Sequence, residues 1–113
     1  DMYRLGEGVE IDLKEAVAWY RKSAENGNSE GQWRLGYMYK YGKGVPQSYS
    51  EALKWYLKAA NQDYALAQKN VGTMYEEGKG VAKSISEAKK WYKKAADNGH
   101  AGAKEAYERL RYY

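Results

Sequence analysis

The dipeptide Trp-Tyr occurs three times, at Trp19-Tyr20, Trp55-Tyr56 and Trp91-Tyr92, each 36 residues from the next. Recurrence at a fixed period, with no insertion, marks one supersecondary unit repeated along the chain. Laying residues 2–37, 38–73 and 74–109 over one another returns the same residue at Met2/Met38/Met74, Tyr3/Tyr39/Tyr75, Gly6/Gly42/Gly78, Gly8/Gly44/Gly80 and Val9/Val45/Val81. It does so again at Glu15/Glu51/Glu87, Ala16/Ala52/Ala88, Lys22/Lys58/Lys94 and Ala24/Ala60/Ala96. Each unit is too small to cover its own apolar face, so it must bury that face on its neighbours.

Each period reads as two helices. Asp12, Ser48 and Ser84 each precede a glutamate by three residues (Glu15, Glu51, Glu87), the capping-box pattern in which two side chains satisfy orphan backbone N–H groups at a helix start. From there Leu13, Ala16, Tyr20, Ser23 and Ala24 fall on one helical face, and Ile85, Ala88, Tyr92, Ala95 and Ala96 repeat it, with Gly27 and Gly99 as stops. The other helix of the period is expected over Ser29–Tyr41 and Ala65–Glu77. Its inner face carries Gly31, Leu35, Met38 and Tyr39, matched by Ala67, Val71, Met74 and Tyr75, and Gly42 and Gly78 supply its left-handed C-terminal turn. Gly36 and Gly72 inside this helix each cost about 1 kcal/mol relative to Ala, which close helix-to-helix approach would offset. Helices of this length are marginal alone, so the stacked arrangement is an open α-solenoid.

The residues resemble the Sel1-like repeats (SLR), relatives of the tetratricopeptide repeats. The likeness is carried by Ala65, Ala67, Val71, Gly72, Tyr75, Gly78, Gly80, Val81, Ala88, Trp91, Tyr92, Ala95, Ala96 and Gly99, and it extends over nearly the whole chain. Departures are local: Ser29 and Gly31 replace a small Ala pair, Ser23 replaces Ala, and Asp63 stands where Gly27 and Gly99 stand, loosening that turn. The resemblance implies an all-α, open right-handed solenoid of antiparallel helix hairpins. In it residues 1–113 form one domain of three 36-residue repeats with a C-terminal capping helix over 101–113.

By register, Asp1-Met2-Tyr3 corresponds to the end of a first helix, so the chain reads as opening on a truncated helix. At the other end Glu108 and Arg111 replace Gly36/Gly72 and Tyr39/Tyr75, the polar outer face expected of a cap.

Several kinds of chemistry are argued against. Zero Cys and a single His exclude disulfides and thiolate sites and leave little for metal binding or acid–base work, and no metal or cofactor is expected. No run approaches the roughly 18 apolar residues of a membrane helix. Gly42-Lys43-Gly44 and Gly78-Lys79-Gly80 lack the spacing of a phosphate loop and follow a helix C-terminus, whose dipole repels anions. His100, at the position of Asn28 and Tyr64, reads as a turn or cap residue, and Glu76-Glu77 as a solvated acidic pair. No catalytic constellation assembles at repeat level, and the expected function is not enzymatic.

What remains for recognition is what varies between repeats. Trp33, Tyr37 and Tyr41 are spaced i, i+4, i+8 off the core face as an aromatic stripe, whereas the same positions one period on are Lys69, Thr73 and Glu77. The resemblance places these helices on the concave side of the solenoid, so the six residues are the candidate partner-binding positions. The stripe reads either as a groove for an extended or helical peptide or as a contact to a helix upstream of residue 1. Net charge by repeat runs −1, +3 and +2 within the overall +4. The densest basic group, Lys89-Lys90 and Lys93-Lys94, reads as a solvated helix face rather than the basic-and-aromatic groove a nucleic-acid reader needs. The expected function is a protein–protein scaffold or adaptor holding a protein or peptide, with complex assembly or toxin immunity in bacteria among the roles the resemblance implies. A helical-repeat RNA binder is the alternative.

Overall fold

This computed structural model describes the backbone of residues 7–113 and the side chains of residues 13–113. Among the described residues there are six helices and no strand: α1 (Glu7–Glu25), α2 (Ser29–Tyr41), α3 (Tyr49–Ala60), α4 (Ala65–Glu77), α5 (Ile85–Asp97) and α6 (Ala101–Leu110). Each packs chiefly on the helix before it and the helix after it, and the result is 51 Å long and 24 Å across. This is the all-α repeat solenoid anticipated from the period. α2 and α4 have the bounds read from the sequence.

The turns explain the glycine spacing. Gly42 (φ 66°) and Gly78 (φ 71°) end α2 and α4 in the left-handed conformation, their N–H groups closing on the Met38 and Met74 carbonyls. Ser48 and Ser84 then sit extended, their N–H groups bonded to the Tyr39 and Tyr75 carbonyls and their hydroxyls accepting from the N–H of Glu51 (3.1 Å) and Glu87 (3.2 Å). Gly44 and Gly80 lie against the preceding hairpin: a Cβ on Gly44 would stand 2.7 Å from the Leu13 carbonyl oxygen, and one on Gly80 2.6 Å from that of Tyr49.

The first repeat departs from this scheme. α1 is helical from Glu7, the first described residue, through Gly8 and straight through Asp12, the expected cap. Where the second repeat has Pro46 the first has Glu10, a good helix former. The carbonyl that would anchor Asp12 as Tyr39 anchors Ser48 belongs to Tyr3. The readings made on residues 1–6 fall outside the described residues, as does the side-chain cap at Asp12.

Packing accounts for the rest of the shared residues. Tyr56 and Tyr92 are almost fully buried and lie on Gly36 and Gly72, where a Cβ would stand 2.8 Å and 2.7 Å from the Tyr ring. The mid-helix glycines therefore make room for the tyrosine of the next hairpin. Trp55 (6% exposed) and Trp91 (7%) close the seams between repeats, whereas Trp19 is 70% exposed. Trp55 packs with Leu35, Met38 and Tyr39, and the residues one period earlier than the last two are Met2 and Tyr3, outside the described residues.

A polar clasp runs beside these seams. Buried Gln32 and Gln68 each donate through Nε2 to a carbonyl at the end of the preceding helix, Ala24 (3.2 Å) and Ala60 (3.1 Å). Their Oε1 atoms accept from Gln62 Nε2 and Asn98 Nδ2, both at 2.9 Å. Every polar atom of the buried amides thus has a partner, as burial demands.

Candidate functional site

The variable positions of α2 and α4 form two grooves of opposite character. The first, 420 Å³, lies between α1 and α2, with Leu13, Tyr20 and Met38 as apolar walls and Trp33, Arg34, Tyr37 and Lys43 around them. Trp33, Tyr37 and Tyr41 are a continuous stripe: ring centroids are 6.3 Å apart for the first pair and 4.8 Å for the second. Tyr37 and Tyr41 are 39% and 52% exposed. Trp33 differs from them. It is half-buried against the core, its ring meets Tyr64 at 6.2 Å, and its Nε1–H donates to Asn70 Oδ1 at 2.7 Å. The sequence reading placed Trp33 wholly off the core. The structure turns it downstream onto Tyr64 and α4, so the next repeat is a packing partner of Trp33.

The second groove, 550 Å³, brings Lys69, Thr73 and Glu77 together with Glu76, Tyr92 and Arg109 between α4 and α6. Glu76 is held bidentately by Arg109 (2.7 and 3.2 Å) and accepts the Tyr92 hydroxyl at 2.7 Å. Thr73 Oγ1 lies 3.0 Å from that hydroxyl and 3.1 Å from the Lys69 carbonyl, and its one proton serves either of these acceptors. The Arg109 guanidinium holds the Glu76 carboxyl below the usual range, and burial pushes the Tyr92 hydroxyl up to about 12. The same cause raises Tyr56. Glu76 is thus not the solvated carboxylate expected from the Glu76-Glu77 pair. Glu77 is: half exposed, with Lys79 Nζ at 3.5 Å.

Other candidates resolve into structure. His100 caps α6, its Nδ1 accepting from the Ala103 N–H at 3.1 Å, as Asn28 caps α2. Lys90 and Lys93 pair within their helix with Glu87 and Asp97, Lys94 lies over the Trp91 ring, and Lys89 donates to the Tyr113 carbonyl. The four are the outer wall of α5. Among the described residues no cluster of three or more acidic or His side chains is placed to hold a metal ion, and no helix is long and apolar enough to cross a membrane.

Two features escaped the sequence reading. The Gln clasp had a signal, since Gln32 and Gln68 lie one period apart and so do Asn26, Gln62 and Asn98. The Glu76–Arg109 fork had none, because its partners are 33 residues apart and occur once.

Comparison with known proteins supplies the remaining findings. Residues 1–28, 29–64 and 65–100 each match the Sel1 repeat. No curated protein matches the chain. Among solved structures, a protective antigen present in uropathogenic Escherichia coli strains, displaying an SLR fold, is similar with 41% identity and a TM-score of 0.81 over 87% of this chain. The chain spans only 21% of that antigen's length. A Sel1 repeat protein from Oxalobacter formigenes is also 41% identical, with a TM-score of 0.81 over 84% of this chain and 71% of its own. The cysteine rich protein B of Helicobacter pylori, at 24% identity, shares the fold, with a TM-score of 0.69 over 90% of this chain and 99% of its own.

Proposed function

This chain belongs to the Sel1 repeat family, whose members are typically noncatalytic scaffolds that bind other proteins, and we propose that it holds a protein or peptide partner on the face that α2 and α4 present. The observation that carries this reading is the pair Tyr37 and Tyr41. They are large, exposed and packed against each other with their rings tilted by 55°, yet the equivalent positions in the next repeat are Thr73 and Glu77, so the fold does not need them. Tyrosine exposed without a packing duty is the residue type that anchors interfaces, since it buries much area at little entropic loss. The remaining four candidates, Trp33, Lys69, Thr73 and Glu77, extend the same face.

A photo-crosslinking amino acid at position 37 tests the reading. Introduced into the protein in its native host, it should trap a discrete partner, and the same group at Lys54, exposed on α3, should not. Equal trapping at both positions, or none at 37, would reject this face as the binding surface.

A further inference from the structure

Arg34 and Lys43 line the α1–α2 groove, and Lys40 lies beside it over the Tyr41 ring. Lys43 Nζ lies 5.6 Å from the Tyr37 ring centroid and Lys40 Nζ 5.3 Å from that of Tyr41, while the Arg34 guanidinium sits 5.6 Å from Trp33 and 5.8 Å from Tyr20. Arg34 is engaged by Glu30 at 3.0 Å. Among the described residues, neither Lys40 nor Lys43 has a carboxylate within ion-pair reach. Ammonium groups resting on ring faces are already positioned, so a ligand that pairs with them has less side-chain entropy to remove. Between them the walls are apolar: Leu13 and Met38, the latter 7% exposed.

We infer that this groove takes an acidic peptide segment, one aliphatic or aromatic side chain resting on Leu13 and Met38 and flanking carboxylates meeting Lys40 and Lys43. The inference rests on the reading of this face as protein-binding and adds the chemistry of the partner.

Single-stranded nucleic acid is the other polyanion drawn to basic and aromatic groups together. Here the geometry disfavours it. The stripe's rings are tilted 45° and 55° to one another, and cations already cover their faces. The Trp33 N–H is spent on Asn70, and the polar edges of a base would find no partner on an apolar wall. A side chain of Leu or Phe type meets none of these obstacles.

The test is selection of random peptides displayed on phage against the whole chain, with Lys40→Glu/Lys43→Glu as the counter-target. Both lysines lie at the surface end of α2 and its turn, and circular dichroism checks that the double variant keeps its helices. Enriched sequences should carry Asp or Glu around one large apolar residue, and synthetic versions should bind the double variant about tenfold more weakly, the scale of one or two charge-assisted contacts. Enrichment of basic or uncharged peptides, no enrichment at all, equal binding to both proteins, or tighter binding of a poly-uridine oligonucleotide in fluorescence anisotropy would each overturn the inference. A partner trapped through position 37 that contacts the groove with a neutral or basic segment would overturn the acidic ligand while leaving the scaffold reading intact.

Discussion

The two grooves share variable positions of α2 and α4 that lie one period apart, but they open against different neighbours, α1 for the first and α6 for the second, and they differ in whether their polar groups are already used. Between α4 and α6, Glu76, Arg109, Tyr92 and Thr73 satisfy one another across three helices. On the α2 stripe, two tyrosines and two lysines have, among the described residues, side-chain contacts of the ring–ring and cation–π kind. A repeat scaffold thus separates duties: invariant positions hold hairpins together, and a variable position can either reinforce that hold or be left for a partner. The comparison fails if the aromatic groove proves structural or the polar groove proves dispensable to stability, and substitutions at matched positions decide both.

The largest difference is expected at Trp33 and its counterpart Lys69. Trp33→Ala removes a half-buried ring from Tyr64 and the core and leaves Asn70 without its donor, so denaturant unfolding should show a loss of about 2 kcal/mol, below the 3–5 of a fully buried Trp. Lys69→Ala should fall within about 0.5 kcal/mol of zero. Equal losses would mean that the stripe has no special place in the packing. Trp33 therefore joins the groove to the α4 repeat, and Tyr37 is the residue that isolates binding from stability.

Gly36→Ala and Gly72→Ala should behave alike, because both glycines accommodate the tyrosine of the following hairpin. Helix propensity returns about 1 kcal/mol, but a Cβ within 3 Å of the Tyr ring forces overpacking that costs about 1–3 kcal/mol. A net loss of up to about 2 kcal/mol at both sites is expected from thermal unfolding. Unequal losses would show that the two repeats differ in their cores as well as on their outer faces.

The polar groove can be broken through Glu76. Its carboxyl is held below the ordinary value by Arg109 and Tyr92, so its contribution to stability is complete above the unfolded value near 4.5 and is lost as pH falls through the lower folded value. Glu76→Gln should cost about 1 kcal/mol at neutral pH, modest because Arg109 is largely exposed. The gap to wild type should close in the acid range. A gap that persists there unchanged would show that the fork is not what closes this groove.

How much of this was legible in advance follows from what repeats and what does not. The helices, glycine turns and serine caps were readable because each occurs at least twice in register, and the period makes every occurrence check the others. Asp12 misled because the cap motif was carried over from Ser48 and Ser84, while the helix-competent run from Glu7 to Ile11, lacking Pro46, extends the helix instead. The roles of Trp33 and Glu76 were hidden for another reason. Both depend on a side chain in a neighbouring hairpin, Asn70 and Arg109, that has no counterpart elsewhere in the chain, so nothing in the spacing announced it.

Asp63 gives the smallest and most local test, and it sits in the turn that joins the two regions. Gly27 and Gly99 hold the equivalent place at φ 90° and 97°, and Asp63 adopts the same left-handed conformation at φ 65° with a side chain attached. That conformation costs an L-residue roughly 1 kcal/mol, somewhat less for Asp. The one side-chain contact seen in return, from Gln68 Nε2, is long at 3.4 Å. Asp63→Gly relieves the strain but frees the unfolded chain, and the two effects leave an expected gain of about 0.5 kcal/mol. A gain of that size in chemical denaturation would mark the turn as a strained copy of its two neighbours. A loss would mean that the Gln68 contact outweighs the backbone strain, tying this turn to the amide clasp and making the junction between the two grooves stiffer than the turns on either side.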